Sequence, residues 1–445
     1  MRVDVAVVGM GPGGEVVATR LAGAGLRVAA VEARLVGGEC PYYACVPTKM
    51  MIRAADALAE ARRVGELAGT AEVRADFSPV AARIRDEATD DWDDTVAVER
   101  LTSAGVEFVR GRARITGRGV LDVGGTVIEA DRIVLNPGTD PAVPPVAGLA
   151  GTPFWTNRDA VKATVAPAEL VVVGGGPVGC EFAQVFARFG SRVTLVQSGE
   201  RLLPRDEPEA GGLIAERFAA EGIDVRTGAK VERVAHDGEA FTVTINGGDV
   251  RAERLLIAAG RTTDLAALGV GAYGLDESAR GIAVDARMRA ADGLWAIGDV
   301  TGEGAFTHMS MYQADIAVAD LLGEPLEADY RAVPRVTFTD PEVGAVGLTE
   351  EQARAQGRSV RTGSTPIPSS SRGWIHKTGN EGFIKLVADG DVLVGATSAG
   401  PAGGEVLGAL AVAVHGRVPV SSLRRMIFAY PTFHRAISAA LDDLG

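Results

Sequence analysis

One supersecondary unit occurs twice in this chain, and the repeat constrains the fold more than any other feature. In the first copy, the β-rich run Val3–Val8 leads into the turn Gly9–Gly14, a helical segment and a strand that ends at Glu32. In the second copy, a strand leads into the turn Gly174–Gly179, a helical segment and a strand that ends at Gln197. The first glycine and the residue that ends the second strand lie 23 positions apart in both copies. This order of elements is typical of a dinucleotide-binding βαβ unit, so the repeat predicts an α/β fold with two such domains.

The glycine spacing of the first turn indicates a pyrophosphate site. In Gly9-x-Gly11-x-x-Gly14, the first glycine permits the tight turn, the second lets the backbone approach a pyrophosphate, and the third lets helix and strand pack closely. The helix N-terminus supplies N–H donors to the phosphates, and the carboxylate of Glu32 is placed to bind a ribose hydroxyl. A glycine-rich loop on another α/β core is the alternative, but the complete context favours a Rossmann-like domain.

The second turn has the same glycine spacing but a different residue at the ribose position. An amide, Gln197, stands where the first copy has an acid; it still hydrogen-bonds a hydroxyl and no longer repels a 2′-phosphate. Arg201 and Arg205 follow nearby and are candidates to bind that phosphate, which favours NADPH or tolerance of both nucleotides. The alternative is that both arginines face solvent.

Composition and the chain start exclude several classes of function. The net charge of −13 argues against a nucleic-acid partner. The first nine residues have no basic n-region and no apolar stretch reaches membrane-spanning length, so we expect a cytoplasmic protein without a membrane anchor. A reducing cytosol rarely keeps structural disulfides, and the close pair Cys40 and Cys45 is therefore a candidate for catalysis or metal binding.

Three interpretations of the cysteines compete. A redox pair is favoured because Cys40 is expected to open a helix, whose N-terminus stabilises a thiolate, with Pro41 in its first turn. Two buried free cysteines are the second interpretation. A metal site is the third and is disfavoured, because two thiols without a nearby histidine leave the coordination unfilled. The remaining cysteine, Cys180, is interpreted as a small core residue.

Several motifs together resemble those of the class I flavoprotein disulfide reductases, which include dihydrolipoamide dehydrogenase, glutathione reductase and mercuric reductase. Besides both glycine turns, the resemblance rests on Gly-Gly-x-Cys-x4-Cys-x-Pro-Thr-Lys at 37–49 and on three further segments. These are Ala258–Arg261, Leu294–Asp299 and Val336–Gly344. The resemblance extends nearly end to end and implies four segments: an FAD-binding domain at 1–147 and 259–329, an NAD(P)H-binding domain at 148–258, and a C-terminal α+β dimerisation domain at 330–445.

The resemblance also implies roles for individual residues. Cys45 would lie against the flavin, Cys40 would exchange with the substrate, and Lys49 would sit near flavin N5, paired with Glu181. The residues implied for FAD are Gly9, Gly11, Pro12, Gly13, Gly14, Glu32, Ala33, Gly38, Glu39, Lys49, Gly138, Gly298, Asp299 and His308, of which Asp299 would contact the ribitol. Those implied for NAD(P)H are Gly174, Gly176, Pro177, Gly179, Gln197, Arg201 and Gly260. No metal is implied.

The C-terminal segment departs from the family pattern. Tyr430 stands where the family has the histidine that serves the interchange thiol as acid–base group, and Arg435 stands where the family has its glutamate partner. A tyrosine, with an ordinary pKa of about 10, is a poor base at neutral pH. His434 lies four residues after Tyr430, and if both lay on one helix they would share a face, which makes His434 a candidate replacement. A structural or solvated histidine is the alternative.

Three functions remain open at the level of sequence. The leading hypothesis is an FAD-dependent NAD(P)H:disulfide oxidoreductase that reduces a small-molecule disulfide. The second is a flavoprotein that passes electrons to a quinone, a metal ion or a second nicotinamide nucleotide. The third, a non-catalytic flavin-binding protein, is disfavoured because structural FAD does not need Lys49 and Glu181.

Overall fold

The computed structural model describes the whole chain, Met1 to Gly445, as two compact units. The first unit comprises Met1–Pro47, Ala82–Ala142 and Arg261–Asp329. The second comprises Thr48–Ala81, Val143–Gly260 and Tyr330–Gly445. Each unit contains one of the two glycine-turn repeats, and the predicted α/β class is confirmed.

An eight-stranded sheet forms the centre of the first unit. Its main path runs in the order Arg289–Ala291, Leu294–Ala296, Thr126–Leu135, Arg2–Val8, Val28–Glu32 and Glu107–Arg110. The strands Ala113–Gly117 and Val120–Val123 extend it antiparallel from Thr126–Leu135. The strand Arg2–Val8 pairs in parallel with a neighbour on each side. Its successive residues Val5, Ala6 and Val7 are all fully buried, as is typical of a parallel strand that is covered on both faces.

Helices and short elements complete the first unit. The helix Pro12–Gly23 follows the first glycine turn, and the helix Thr307–Leu321 packs against it. The other elements are Glu39–Tyr42, Ile84–Ala88, Thr95–Ser103, Leu265–Leu268, Val270–Tyr273 and Gly298–Thr301, with the two-stranded pair Asp140–Pro141 and Arg261–Thr262.

The second unit contains three sheets. A four-stranded parallel sheet has the order Asp224–Arg226, Arg192–Val196, Glu169–Val173 and Arg254–Ile257. Beside it lies the three-stranded antiparallel sheet Val231–His236, Phe241–Ile245 and Gly248–Ala252. A five-stranded antiparallel sheet has the order Pro334–Thr337, Glu342–Gly347, Val392–Gly400, Phe383–Asp389 and Val360–Pro366.

The helices of the second unit cover these sheets. Pro177–Arg188 follows the second glycine turn, and Gly403–His415 packs on the five-stranded sheet. The others are Asn157–Ala160, Pro208–Ala220, Glu350–Ala355, Ser371–His376, Val420–Leu423 and Ala436–Asp443, with the short turns Val64–Glu66 and Ile367–Ser369. Two further helices, Cys45–Arg63 and Ser78–Arg83, contain residues of both units. Throughout the chain, no helix combines the length and the apolar character that crossing a bilayer requires.

A strained turn stands out in the first unit. The consecutive residues Asp90, Asp91 and Trp92 have φ angles of +47°, +52° and +59°, in the left-handed region that disfavours side chains with a Cβ. Each left-handed residue other than glycine costs about 1–2 kcal/mol. The amide of Asp91 donates to the carbonyl of Arg85 at 2.7 Å, which ties the turn to the preceding helical segment.

We predict that Asp91→Val lowers the thermal unfolding midpoint, whereas Asp91→Gly leaves it equal or raises it. A β-branched residue is least tolerant of positive φ, and the added cost of about 1–2 kcal/mol corresponds to a shift of about 2–8 °C in a domain of this size. Circular dichroism melts of the two variants and the wild type measure the effect. Equal midpoints for the valine and glycine variants would contradict a strained turn.

Candidate active site

The first glycine turn is a place where the backbone leaves no room for side chains. Gly9 has φ +91°, and a Cβ on it would lie 2.0 Å from the carbonyl oxygen of Asn136. A Cβ on Gly14 would lie 2.0 Å from the carbonyl oxygen of Gly9, and one on Gly13 would lie 2.3 Å from Ser310 Oγ. The helix that follows begins at Pro12, so its free N–H groups face the turn. This cradle fits a pyrophosphate.

Polar side chains from distant segments hold the turn, and no sequence motif indicates them. Asn136 donates from Nδ2 to the carbonyl of Gly9 at 3.2 Å, and Ser310 Oγ donates to Asn136 Oδ1 at 3.1 Å. The backbone N–H of Gly298 donates to the buried Gln313 Oε1 at 2.6 Å. These bonds bring the segment that carries Gly298 to the same turn.

A cavity of about 120 Å³ opens next to the first turn. Four predicted FAD residues line this cavity: Gly9, Glu32, Ala33 and Gly138. Residues that were not predicted also line it, namely Arg34, Arg112, Thr139, Asp140 and Thr262–Asp264. Glu32 accepts backbone N–H groups of Met10 at 2.8 Å and Arg34 at 2.7 Å. The Asp299 carboxylate accepts a hydrogen bond from Thr139 Oγ1 at 2.7 Å, and Thr139 lines the cavity.

Three further predicted FAD residues, Gly38, Glu39 and His308, lie at the starts of two helices of the first unit. Gly38, at φ +67°, approaches Gly11 so closely that a Cβ would lie 2.9 Å from the Gly11 Cα, and Glu39 begins the next helical turn. The His308 ring stacks on Phe306 at 5.1 Å with an interplanar angle of 10°. His308 is the second residue of the helix that begins at Thr307.

The second glycine turn repeats the geometry of the first within the second unit. A Cβ on Gly179 would lie 1.8 Å from the carbonyl oxygen of Gly174, and the helix begins at Pro177 after the N-cap residue Gly176. The N–H of Gly175 donates to Gln197 Oε1 at 3.1 Å, the counterpart of the bond from Met10 to Glu32. The amide thus preserves the hydrogen bond while removing the charge.

The two arginines after Gln197 differ in their surroundings. The Arg201 guanidinium donates to the backbone carbonyls of Pro204 at 3.2 Å and Asp206 at 3.4 Å, so it is turned into its own loop. Arg205 is exposed. Of the predicted NAD(P)H residues, Gly260 has φ +118° and no atom within 4 Å of an added Cβ.

The cysteines lie on two consecutive helical segments. Cys40 and Pro41 lie in the first turn of the helix Glu39–Tyr42, as the sequence predicts, and a second, longer helix begins at Cys45. The first helix is short because the N–H groups of Tyr43 and Ala44 both donate to the carbonyl of Glu39, which closes it after one turn. The helix N-terminus therefore favours a thiolate at Cys45.

A hydroxyl group contacts the second cysteine. Thr307 Oγ1 lies 3.3 Å from Cys45 Sγ, within the reach of a hydrogen bond to sulfur. Thr307 is also the first residue of the helix Thr307–Leu321, so both a hydroxyl and a helix N-terminus face this sulfur. Cys180 is fully buried, and burial raises the pKa of its thiol, which keeps it protonated.

The predicted pair Lys49 and Glu181 forms an ion pair within the second unit. Lys49 Nζ lies 2.8 Å and 3.1 Å from the two carboxylate oxygens of Glu181. Glu181 is buried and also accepts the N–H of Phe338 at 2.9 Å, while Lys49 Nζ lies 4.5 Å from the centroid of the Phe338 ring. A carboxylate held in this way fixes the ammonium, which follows Cys45 by one helical turn.

In the C-terminal segment, Tyr430 and His434 do not share a helix, so the condition under which His434 could replace the family histidine is not met. The last helix begins at Ala436, beyond both residues. Pro431 explains the difference, because the residue before a proline disfavours helical conformation and proline lacks a backbone N–H. His434 packs with Phe428 at 6.2 Å and pairs with Thr432 Oγ1 at 3.3 Å.

The residues at the two family acid–base positions nevertheless contact each other. The guanidinium of Arg435 lies 5.5 Å from the centroid of the Tyr430 ring, a cation–π distance. Tyr430 is 68% exposed. A cation and a phenol thus replace a histidine and a carboxylate, and the pair has no strong base at neutral pH.

We predict that Gly14→Ala yields protein that has lost most of its bound FAD, whereas Gly23→Ala does not. A Cβ at position 14 overlaps a backbone carbonyl, but one at position 23, in the same helix, meets no atom within 4 Å. An affinity loss of more than about tenfold, equal to about 1.4 kcal/mol, is expected for the first variant. The ratio of flavin absorbance to protein absorbance measures it, and equal flavin content in both variants would contradict the cradle.

Comparisons with known proteins agree with this geometry. The family model described as pyridine nucleotide-disulphide oxidoreductase matches residues 3–319, and its dimerisation domain matches residues 333–441. The chain is 33% identical to dihydrolipoyl dehydrogenase of Thermus scotoductus, over 99% of this chain and 97% of that protein. It is 33% identical to mercuric reductase of Shewanella putrefaciens, over 96% of this chain and 78% of that protein.

Solved structures give the same result. A Cu(II) complex of the HOCl-induced flavoprotein disulfide reductase RclA from Escherichia coli superposes with a TM-score of 0.86 at 28% identity, covering 99% of each chain. LpdA from Mycobacterium tuberculosis superposes with a TM-score of 0.87 at 26% identity, covering 99% of this chain and 100% of that chain.

Proposed function

The chain belongs to the pyridine nucleotide-disulphide oxidoreductases, and from that premise we propose that it passes two electrons from NAD(P)H to the Cys40–Cys45 disulfide and on to a small disulfide substrate. Members of this family use FAD and NAD(P)H. The observation that carries the proposal is the contact of Cys45 Sγ with Thr307 Oγ1 at a helix N-terminus, in a unit whose glycine turn fits a pyrophosphate.

We assign the FAD site to the first glycine turn and the cavity beside it. Bound there, FAD supplies two-electron transfer between a nicotinamide and a disulfide. The N–H groups after Gly11 bind the pyrophosphate, Glu32 binds the ribose, and Asp299 binds the ribitol. The Lys49 ammonium, fixed by Glu181, is the positive charge assigned to the flavin N5 region.

The chain's own groups then account for the chemistry of the thiols. Thr307 and the helix N-terminus stabilise the negative charge of Cys45, which makes Cys45 the thiolate partner of the flavin. Cys40 is the thiol that exchanges with the substrate. The Cys40 thiolate attacks the substrate disulfide, which releases one substrate thiol and forms a mixed disulfide. Cys45 then attacks the Cys40 sulfur, which releases the second substrate thiol and restores the Cys40–Cys45 disulfide.

A homodimer through residues 330–445 completes the proposal. The tail carries large apolar side chains that face solvent, namely Trp374, Val412, Ile427 and Tyr430, with exposed fractions of 77%, 69%, 96% and 68%. The dimerisation domain matched at residues 333–441 supports the assignment, and exposed apolar side chains suit a protein interface. In this assembly, the partner subunit supplies the C-terminal segment with Tyr430 to the site.

The second candidate function is electron transfer to a quinone or a metal ion, and the tail favours it. Tyr430 and Arg435 offer an aromatic ring and a cation in place of an acid–base pair, which suits a planar acceptor that gains negative charge. The similar reductase RclA has been solved as a Cu(II) complex, which supports a metal ion as a candidate acceptor. Throughout the chain, no group of three or more histidine, cysteine or carboxylate side chains has the arrangement of a metal site.

We predict that two-electron reduction under anaerobic conditions gives a long-wavelength charge-transfer absorbance that is lost in Cys45→Ser. The band requires a thiolate at Cys45 beside an oxidised flavin. Cys40→Ser is the matched control: it cannot form the disulfide and leaves a thiolate at position 45, so the band should be present before any reductant is added and should disappear when two electrons reduce the flavin. Immediate bleaching of the wild-type flavin with the disulfide intact would contradict the proposal.

Cys40→Ser also separates the two candidate functions. The variant should lose all turnover with lipoamide or oxidised glutathione, since the exchanging thiol is gone. Full retention of turnover with menadione or Cu(II) in the same variant, together with no disulfide turnover by the wild type, would establish the second function.

We further propose that the second site accepts NADPH because Gln197 carries no charge, and we predict that Gln197→Glu raises KM for NADPH about tenfold more than KM for NADH. A carboxylate at position 197 would repel the 2′-phosphate of NADPH, and a tenfold loss of affinity corresponds to about 1.4 kcal/mol. Steady-state kinetics with both nucleotides measure the effect. An equal change for both nucleotides would show that the 2′-phosphate does not approach Gln197.

A further inference from the structure

The strained turn at Asp90–Trp92 lies in a segment that contacts the redox motif. Three successive left-handed residues without glycine are exceptional, and Trp92, with its bulky side chain, is the least expected of them. Such strain persists only where surrounding contacts fix the backbone. The segment Asp90–Asp94, here called the clamp, makes its fixing contacts with the residues before and after Cys40.

The clamp binds the backbone on both sides of Cys40. The indole Nε1 of Trp92 donates to the carbonyl of Tyr42 at 3.1 Å. The carboxylate of Asp94 accepts the N–H of Val36 at 2.6 Å. The phenol of Tyr42 reaches the carbonyl of Asp93 at 3.5 Å, the limit of a hydrogen bond. Two strong bonds and one weak bond therefore hold the segment 36–42.

The bond from Val36 to Asp94 is buried, and the bond from Trp92 to Tyr42 is partly buried. Asp94 is buried and is held in turn by the Arg110 guanidinium at 2.6 Å. Tyr42 is 6% exposed, and burial raises the pKa of its phenol, so it remains a neutral donor. A buried hydrogen bond that loses its donor leaves an unsatisfied carbonyl, which is costly. The clamp is thus a rigid support for the short turn that carries Cys40.

We propose that Trp92 is a positioning residue for the Cys40–Cys45 couple and that the clamp makes its disulfide harder to reduce. This inference rests on the proposed function of the two cysteines. Reduction breaks one S–S bond, takes two electrons and leaves two thiols after two protons are bound. Oxidation by an acceptor reverses the step and returns the electrons and protons to the acceptor.

The direction of the effect follows from conformational freedom. In the disulfide form, the covalent bond itself restrains Cys40, so the clamp adds little order. In the dithiol form, the clamp alone keeps the turn in place and holds the two sulfurs ready to close. Without the clamp, the dithiol gains conformational entropy and the effective concentration of one thiol for the other falls. The dithiol is therefore favoured.

We expect Trp92→Phe to lower the equilibrium constant for disulfide closure threefold to tenfold. At about 30 mV per tenfold for a two-electron couple, this is a shift of about 14–30 mV to a less negative potential. The holoenzyme is equilibrated anaerobically in dithiothreitol redox buffers, quenched with acid, denatured and labelled with a maleimide. Cys180 adds one constant label, so oxidised chains carry one label and reduced chains carry three.

Trp295→Phe is the matched control, and Asp94→Asn is a second test. Trp295 donates its indole N–H to Asp320 at 2.9 Å in the same unit, so its variant loses a comparable buried bond away from the cysteines. The control should lower the unfolding midpoint without shifting the potential. Asp94→Asn should shift the potential in the same direction as Trp92→Phe, because an amide accepts the Val36 N–H more weakly than a carboxylate.

The possible results separate the two proposals. A wild-type protein that never gains two labels on reduction would refute the proposed function itself. A wild type that titrates reversibly, with Trp92→Phe and Asp94→Asn at the same potential, would overturn the clamp alone. A shift in Trp295→Phe equal to that in Trp92→Phe would also overturn it, since general destabilisation would then be the cause.

Discussion

The close approach of backbone to backbone at the first glycine turn is the constraint on which the rest of the site depends. The carbonyl oxygen of Gly9 occupies the space that a Cβ of Gly14 would need, and the carbonyl of Asn136 occupies the space that a Cβ of Gly9 would need. No other residue type fits there. The approach aims a helix N-terminus at the turn, and the polar contacts of Asn136 and Ser310 bring the segment with Gly298 beside it.

A second layer of the design concerns charge around the cysteines. Thr307 and a helix N-terminus favour a thiolate at Cys45, and the ion pair of Lys49 with Glu181 fixes an ammonium one turn further along the same helix. The clamp adds restraint at Cys40 by hydrogen bonds to backbone groups rather than by charge. In the proposed cycle, nearby positive charge and helix dipoles stabilise the Cys45 thiolate, whereas hydrogen bonds to the backbone restrain Cys40.

The sequence was a good guide wherever the cause was local. The two βαβ units, the α/β class and the family are confirmed, because glycine spacing and β-branched runs act within about thirty residues. Asn136, Ser310 and Thr307 were missed because each acts on a segment more than one hundred positions away. The left-handed turn at Trp92 has no glycine to signal it. The roles of the individual site residues stay predictions.

The backbone decides two points that the sequence left open. The interpretation of His434 as a replacement base required one helix through Tyr430 and His434, and Pro431 interrupts it, so the last helix begins only at Ala436. Cys40 lies in the first turn of a helix, as the sequence predicts, but the Glu39 carbonyl accepts the N–H groups of both Tyr43 and Ala44 and closes that helix after one turn.

The central claim is that each chain stores electrons in the Cys40–Cys45 pair as well as in its flavin. Anaerobic titration of the holoenzyme with dithionite, followed by visible absorbance, tests it most directly. The account predicts that full reduction takes about four electrons per FAD, two for the flavin and two for the disulfide, and about two in Cys40→Ser. Full reduction of the wild type by two electrons would contradict it.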